Sequence, residues 1–158
     1  MLKRLLHRAV FGFQALRRSL WFFTRPTSLG VHAVPLTPEG KVVLVTLSYA
    51  EGWRLPGGGH KPSEEPQAAM LRELREEIGL TDHRGIKLVT GFRHRPDFRH
   101  GQGSLFVIRG VTYRPPRWSL EVTAVAEFDL DDLPLDTPRI TRRLLALAAP
   151  QLERSGEG

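Results

Sequence analysis

The sequence predicts a mixed α/β domain, on three observations. Strand-like runs lie on both sides of one amphipathic helix, a second helix comes near the C-terminus, and turns bearing glycine or proline separate the elements. With 158 residues the chain has room for one domain and a real core. Its hydrophobic fraction of 41% and charged fraction of 25% are ordinary for a globular protein. The absence of cysteine excludes disulfides, thiolate metal sites and cysteine nucleophiles, and suits a reducing compartment such as the cytoplasm.

The first element is a basic N-terminal segment. Lys3, Arg4, Arg8, Arg17, Arg18 and Arg25 precede the first acid, Glu39. They account for the whole formal net charge of +6, so the rest of the chain is neutral and tight, sequence-independent nucleic-acid binding is not expected of it. Leu2, Leu5, Leu6, Ala9, Val10, Phe13, Leu16 and Leu20 recur at a helical period, which predicts a basic amphipathic helix over residues 1–25. Arginines interrupt each apolar run too soon for a membrane span. The helix either packs on the domain or on a second subunit, or lies peripherally on an anionic membrane surface, at the inner face, with Trp21, Phe22 and Phe23 at the interface. An arginine-rich, acid-free start is also compatible with an organelle transit peptide.

The domain itself is expected over residues 26–150. "LGVHAVPLT" and "KVVLVTL", joined by "PEG", read as a hairpin. "WRL" is a short extended piece entering three glycines. A helix is expected from Pro66, capped by residues among Ser63 to Glu65, to a stop at Gly79. "GIKLVTGFR", "SLFVIRGVTY" and "LEVTAVAEFDL" read as strands. The last helix is expected to start at "DTPRIT", with Asp136 or Thr137 as cap and Pro138 at the first position. Residues 151–158 are expected to fray.

The central helix raises a question of charge. On a helical wheel with Leu71 at zero, Leu74 and Ile78 fall within roughly 60° and predict the buried stripe. Glu73, Glu76 and Glu77 fall at roughly 200°, 140° and 240°, as mutual neighbours on the opposite face. A solvated face softened by Arg72 and Arg75 would explain the acids, but it leaves "PGGG" just upstream unexplained. Three carboxylates beside glycine backbone make an oxygen-rich set that suits a hard cation such as Mg²⁺ or Mn²⁺, and such an ion removes the repulsion.

These residues resemble the Nudix box. Its fixed positions are met by Gly58, Glu64, Arg72, Glu73, Leu74, Glu76, Glu77, Gly79 and Leu80. The resemblance implies an α/β/α sandwich with a mixed sheet, and hydrolysis of a nucleoside diphosphate linked to another moiety. It implies Glu76 and Glu77 as principal metal ligands, Glu73 as a further ligand or the base, and the Gly57 carbonyl as another ligand. Arg72 would orient the glutamates, Glu64 would organise loop and helix, and Gly58 and Gly79 would act through backbone conformation. Family members also include domains that bind without catalysis, and an intact set of glutamates argues against that alternative here. Some members take the base from a later carboxylate, for which Glu121 and Glu127 are candidates. Lys61 and Ser63 depart from common usage in the box.

Substrate identity lies outside the box. Arg93 and Arg95, in a basic loop with His94, Arg99 and His100, are candidates for substrate phosphates. Trp53 and Tyr49 are candidates for stacking on a nucleobase, with a core role as the competing reading for Trp53. The expected partner is a small nucleotide-type molecule.

Overall fold

The computed structural model describes residues 27–94 and 100–153. The expectations for residues 1–25 and the end of the tail lie outside them, as does Arg95. The described residues form nine strands and two helices. In chain order these are β1 (Thr27–Pro35), β2 (Val42–Leu47), β3 (Ala50–Arg54), β4 (Gly57–Gly59), α1 (Pro66–Glu77), β5 (Leu80–Asp82), β6 (Gly85–His94), β7 (His100–Arg109), β8 (Thr112–Tyr113), β9 (Val122–Phe128) and α2 (Arg139–Glu153).

A four-stranded mixed sheet has the order β4-β1-β7-β6, a three-stranded antiparallel sheet the order β3-β2-β9, and β5 pairs with β8. β1 and β7 run parallel from Thr27↔His100 to Pro35↔Ile108. Alternation along the strands explains the layering, because successive side chains point to opposite faces. Val31 and Ala33 of β1, Val43 and Val45 of β2, and Phe106 and Ile108 of β7 join one buried cluster with Ala69, Met70 and Leu74 of α1. Val34, Val42, Leu44, Leu105 and Val107 join a second cluster with Leu144, Leu145 and Ala148 of α2. Each helix covers one face, which makes the α/β/α sandwich.

Three expectations change. The reading of β1 and β2 as one hairpin holds only at its base. Gly40 N–H donates to the Thr37 carbonyl at 2.9 Å, and Leu36 bridges Val42, but the strands then enter different sheets. Both are buried on two faces, so neither could stay a two-stranded ribbon with one side in water. Second, Thr137 does not cap the last helix, since its buried Oγ1 has no hydrogen-bond partner. The Pro138 carbonyl instead accepts from Arg142 N–H at 3.1 Å, and the Arg142 guanidinium donates to the carbonyls of Pro134 and Thr137. Third, α2 continues through Glu153, with Leu152 packed on the second cluster.

The start of α1 agrees with expectation. Glu65 is the N-cap, its carboxylate accepts from Ala68 N–H at 2.8 Å, and Pro66 follows. At the other end Gly79 has φ +69°, and a Cβ there would lie 1.8 Å from the Arg114 carbonyl oxygen. Only glycine suits both the left-handed backbone and that approach. Among the described residues, no helix is long and apolar enough to cross a membrane.

Candidate active site

α1 presents its acids differently from a plain amphipathic wheel. Its buried residues are Ala69, Met70, Leu74 and Glu77, so the buried arc is rotated towards Met70 and takes in one glutamate. Leu71, at the centre of the expected stripe, is only partly buried. Glu77 is 4% exposed, whereas the Glu76 side chain is 48% exposed. The three acids therefore sit in three environments.

The glycine run supplies what buried Glu77 needs. Gly57 N–H donates to Glu77 Oε2 at 2.9 Å, linking β4 to the helix end. β4 is itself pinned to β1 through Val31↔Gly58 and His32↔Gly57. Gly58 lies against the neighbouring acid: a Cβ on it would stand 2.6 Å from Glu73 Cδ and 2.8 Å from each carboxylate oxygen. The glycine lets the backbone approach the carboxylate.

Arg72 binds the loop and helix together. Its Nε donates to Glu64 Oε1 at 2.9 Å, its Nη1 to Glu73 Oε1 at 2.6 Å, and its Nη2 to Glu64 Oε2 and the Gly59 carbonyl, both at 3.2 Å. Nη1 is also 3.6 Å from Glu76 Oε2. The Arg72 guanidinium holds the Glu64 carboxyl below its usual range. Burial dominates at the other two. It pushes Glu73 up to about 7 against the opposing effect of Arg72, and it raises Glu77 well above the carboxylate range, with the Glu73 charge adding to the shift.

A fourth carboxylate joins them from a distant part of the chain. Glu121, just before β9, acts by its charge on both Glu73 and Glu77. Tyr49 Oη donates to Glu121 Oε1 at 2.6 Å. Glu127, the other later acid, accepts from Tyr113 Oη at 2.9 Å. Tyr49 also borders an open cleft of about 750 Å³ lined by Thr46 to Gly52 and Asp136.

The remaining expected residues are placed as follows. Leu74 and Leu80 are buried in the α1 cluster. Trp53 does not join the acids: it packs with the α2 cluster, edge-on to Phe128 with ring centroids 4.9 Å apart. Arg93 lies on β6, paired with Gln102. The contact between Tyr49 and Glu121 has no signal in the sequence, since 72 positions separate the two residues.

The donors are all oxygen and the buried acids repel one another, which fits a hard divalent cation. Among the described residues, no three acidic or histidine side chains already close around a single point. Arg72 and Gly57 N–H occupy carboxylate oxygens instead.

Fold and site together define a class, a mixed α/β/α sandwich in which a glycine loop clasps a carboxylate-bearing helix. The NUDIX domain family model matches residues 26–148, and the chain belongs to that family. It is 41% identical over 63 residues to diphosphoinositol polyphosphate phosphohydrolase 3-alpha of Mus musculus, covering 39% of this chain and 38% of that protein. It is 38% identical over 66 residues to the RNA pyrophosphohydrolase of Vibrio vulnificus strain YJ016, covering 42% of this chain and 38% of that protein. The matched stretch thus spans less than two fifths of these curated relatives. Among solved structures, the MutT NUDIX hydrolase from Burkholderia pseudomallei superposes with a TM-score of 0.66 at 24% identity, over 77% of this chain and 97% of that one. A UDP-X diphosphatase gives a TM-score of 0.66 at 22% identity, over 84% and 65%. These two show a shared fold.

Proposed function

We propose that this chain is a hydrolase that depends on a divalent cation and cleaves a phosphoanhydride bond in a nucleoside diphosphate linked to another moiety. The observation that carries this reading is the group of carboxylates gathered against the glycine loop, Glu77 buried and Glu73 partly buried, with the charge of Glu121 acting on both. Buried like charges destabilise a fold unless something offsets them. Family membership supports the reading, and so do the names of the two curated relatives, a diphosphoinositol polyphosphate phosphohydrolase and an RNA pyrophosphohydrolase.

In this mechanism Glu73, Glu76 and Glu77, with the Gly57 carbonyl, would hold Mg²⁺ or Mn²⁺. When bound, the cation neutralises diphosphate oxygens and acidifies water. The chain's own residues supply the positioning that phosphoryl transfer requires. Gly57 N–H fixes Glu77, and Arg72 fixes Glu73 against Glu64. Glu121 or Glu73 accepts a proton from the attacking water as its oxygen bonds to phosphorus. The bond from phosphorus to the bridging oxygen breaks, and that oxygen leaves with the departing phosphate. Arg93 and Arg95 contact substrate phosphates in this reading, and the protein acts in the cytoplasm.

The test is product release from a panel of nucleoside triphosphates, ADP-ribose, nucleoside diphosphate sugars, NADH and diadenosine polyphosphates, with and without Mg²⁺ or Mn²⁺. Turnover of one class that needs the metal and is lost in Glu77→Gln is expected. Turnover that persists in Glu77→Gln, or in chelator, would overturn the reading.

A further inference from the structure

The turn between β2 and β3 is Ser48 and Tyr49, and it is bonded to the stretch that carries Glu121. Ser48 N–H donates to the Glu121 carbonyl at 2.8 Å, and Ser48 Oγ donates to the Leu120 carbonyl at 2.9 Å. From the other side Ser119 Oγ accepts from Glu121 N–H at 3.2 Å and from Val122 N–H at 3.0 Å. Four bonds thus fix the backbone around Glu121. One more fixes its side chain, from Tyr49 Oη at 2.6 Å, inside the range of a charge-assisted O–H···O⁻ bond.

That last bond has a purpose the others do not share. Val122, the next residue, packs in the cluster that holds Leu74 and Ile78 of the helix end, so Glu121 lies where its charge acts on Glu73 and Glu77, and it would lower its energy by swinging into water. Tyr49 opposes the swing. Tyr49 is 45% exposed and belongs to neither buried cluster, and its hydroxyl is what reaches the carboxylate.

We propose that Tyr49 is a positioning residue that holds Glu121 beside Glu73 and Glu77, making Glu121 part of the environment of the cation. This rests on the hydrolase reading above. Tyr49 acts through Glu121, so removing its hydroxyl costs the cation site no more than removing the Glu121 carboxylate does.

The experiment is Mn²⁺ titration of the full chain followed by electron paramagnetic resonance, in wild type, Tyr49→Phe, Glu121→Gln, the double variant and Glu77→Gln. Thermal unfolding in chelator runs beside it to separate folding from affinity. Tyr49→Phe is expected to weaken Mn²⁺ binding about tenfold, the scale of a residue that orients a metal ligand, with metal-free unfolding little changed. The double variant is expected to bind no more weakly than Glu121→Gln alone. Wild-type affinity in Tyr49→Phe overturns the proposal, and so does an additive loss in the double variant. If Glu77→Gln abolishes binding while Tyr49→Phe does not, only the role of Tyr49 falls. If wild type takes up no Mn²⁺, or Glu77→Gln binds as tightly as wild type, the hydrolase reading falls with it.

Discussion

At the scale of single residues, Gly58 and Glu77 show most directly how backbone and charge cooperate. In Gly58→Ala the new Cβ would overlap a carboxylate at the end of a flexible side chain. The fold can yield there at small cost, but Glu73 must move. Thermal stability in chelator should change little while Mn²⁺ affinity falls about tenfold. An unaltered affinity would show that the approach of Gly58 to Glu73 is incidental. Glu77→Gln should act with opposite signs in two conditions. It replaces a buried acid whose charged form is penalised by burial with a neutral group that keeps an oxygen to accept from Gly57 N–H, so metal-free protein should melt at the same temperature or higher. The rise in melting temperature on adding Mg²⁺ should disappear. A metal-free variant much less stable than wild type would count against the repulsion argument.

At the scale of elements, α1 is where reading the sequence succeeded and where it fell short. The box was legible because its positions are local, 23 residues along one loop and helix. Pro66, the Glu65 cap and the Gly79 stop were legible for the same reason. The rotation of the helix was not, because a wheel knows which residues are apolar but not that Gly57 offers an N–H to Glu77. This has a measurable form. Leu74→Ala, fully buried, should cost about 2–5 kcal/mol in urea unfolding, and Leu71→Ala less than half as much. Equal losses would restore the simpler wheel. The parting of β1 and β2 into two sheets was equally hidden, since residues such as Val42 and Val43 are apolar whichever cluster they join. The bond from Tyr49 to Glu121 is of the same kind, a meeting made only by the tertiary fold.

At the scale of the whole molecule, the acids set how stability responds to pH. In the metal-free protein Glu73 titrates at about 7 when folded, against 4.5 for an ordinary glutamate, and Glu77 shifts the same way. The folded state therefore holds protons that the unfolded chain has released. Stability from this source is fully present below about pH 4.5 and is lost as pH rises towards about 7. Glu64 has the opposite sign, but it is bonded to Arg72 near solvent and its part is small. Melting in chelator should therefore fall from about pH 5 to about pH 8, and Mg²⁺ should restore most of the loss at the upper end. A metal-free melting temperature that climbs over that interval would contradict the assignment of burial as the dominant effect.

Gly57, Glu77 and Glu121 come from three separate stretches of chain, a strand edge, a helix end and the approach to another strand. The unfolded chain has acids but no such gathering of them. A cation that binds only the gathered set acts on the equilibrium by mass action, and it binds nothing until both layers have docked. In refolding, Mn²⁺ uptake would trail the formation of helix and sheet, and so act as a clock for the last step of assembly.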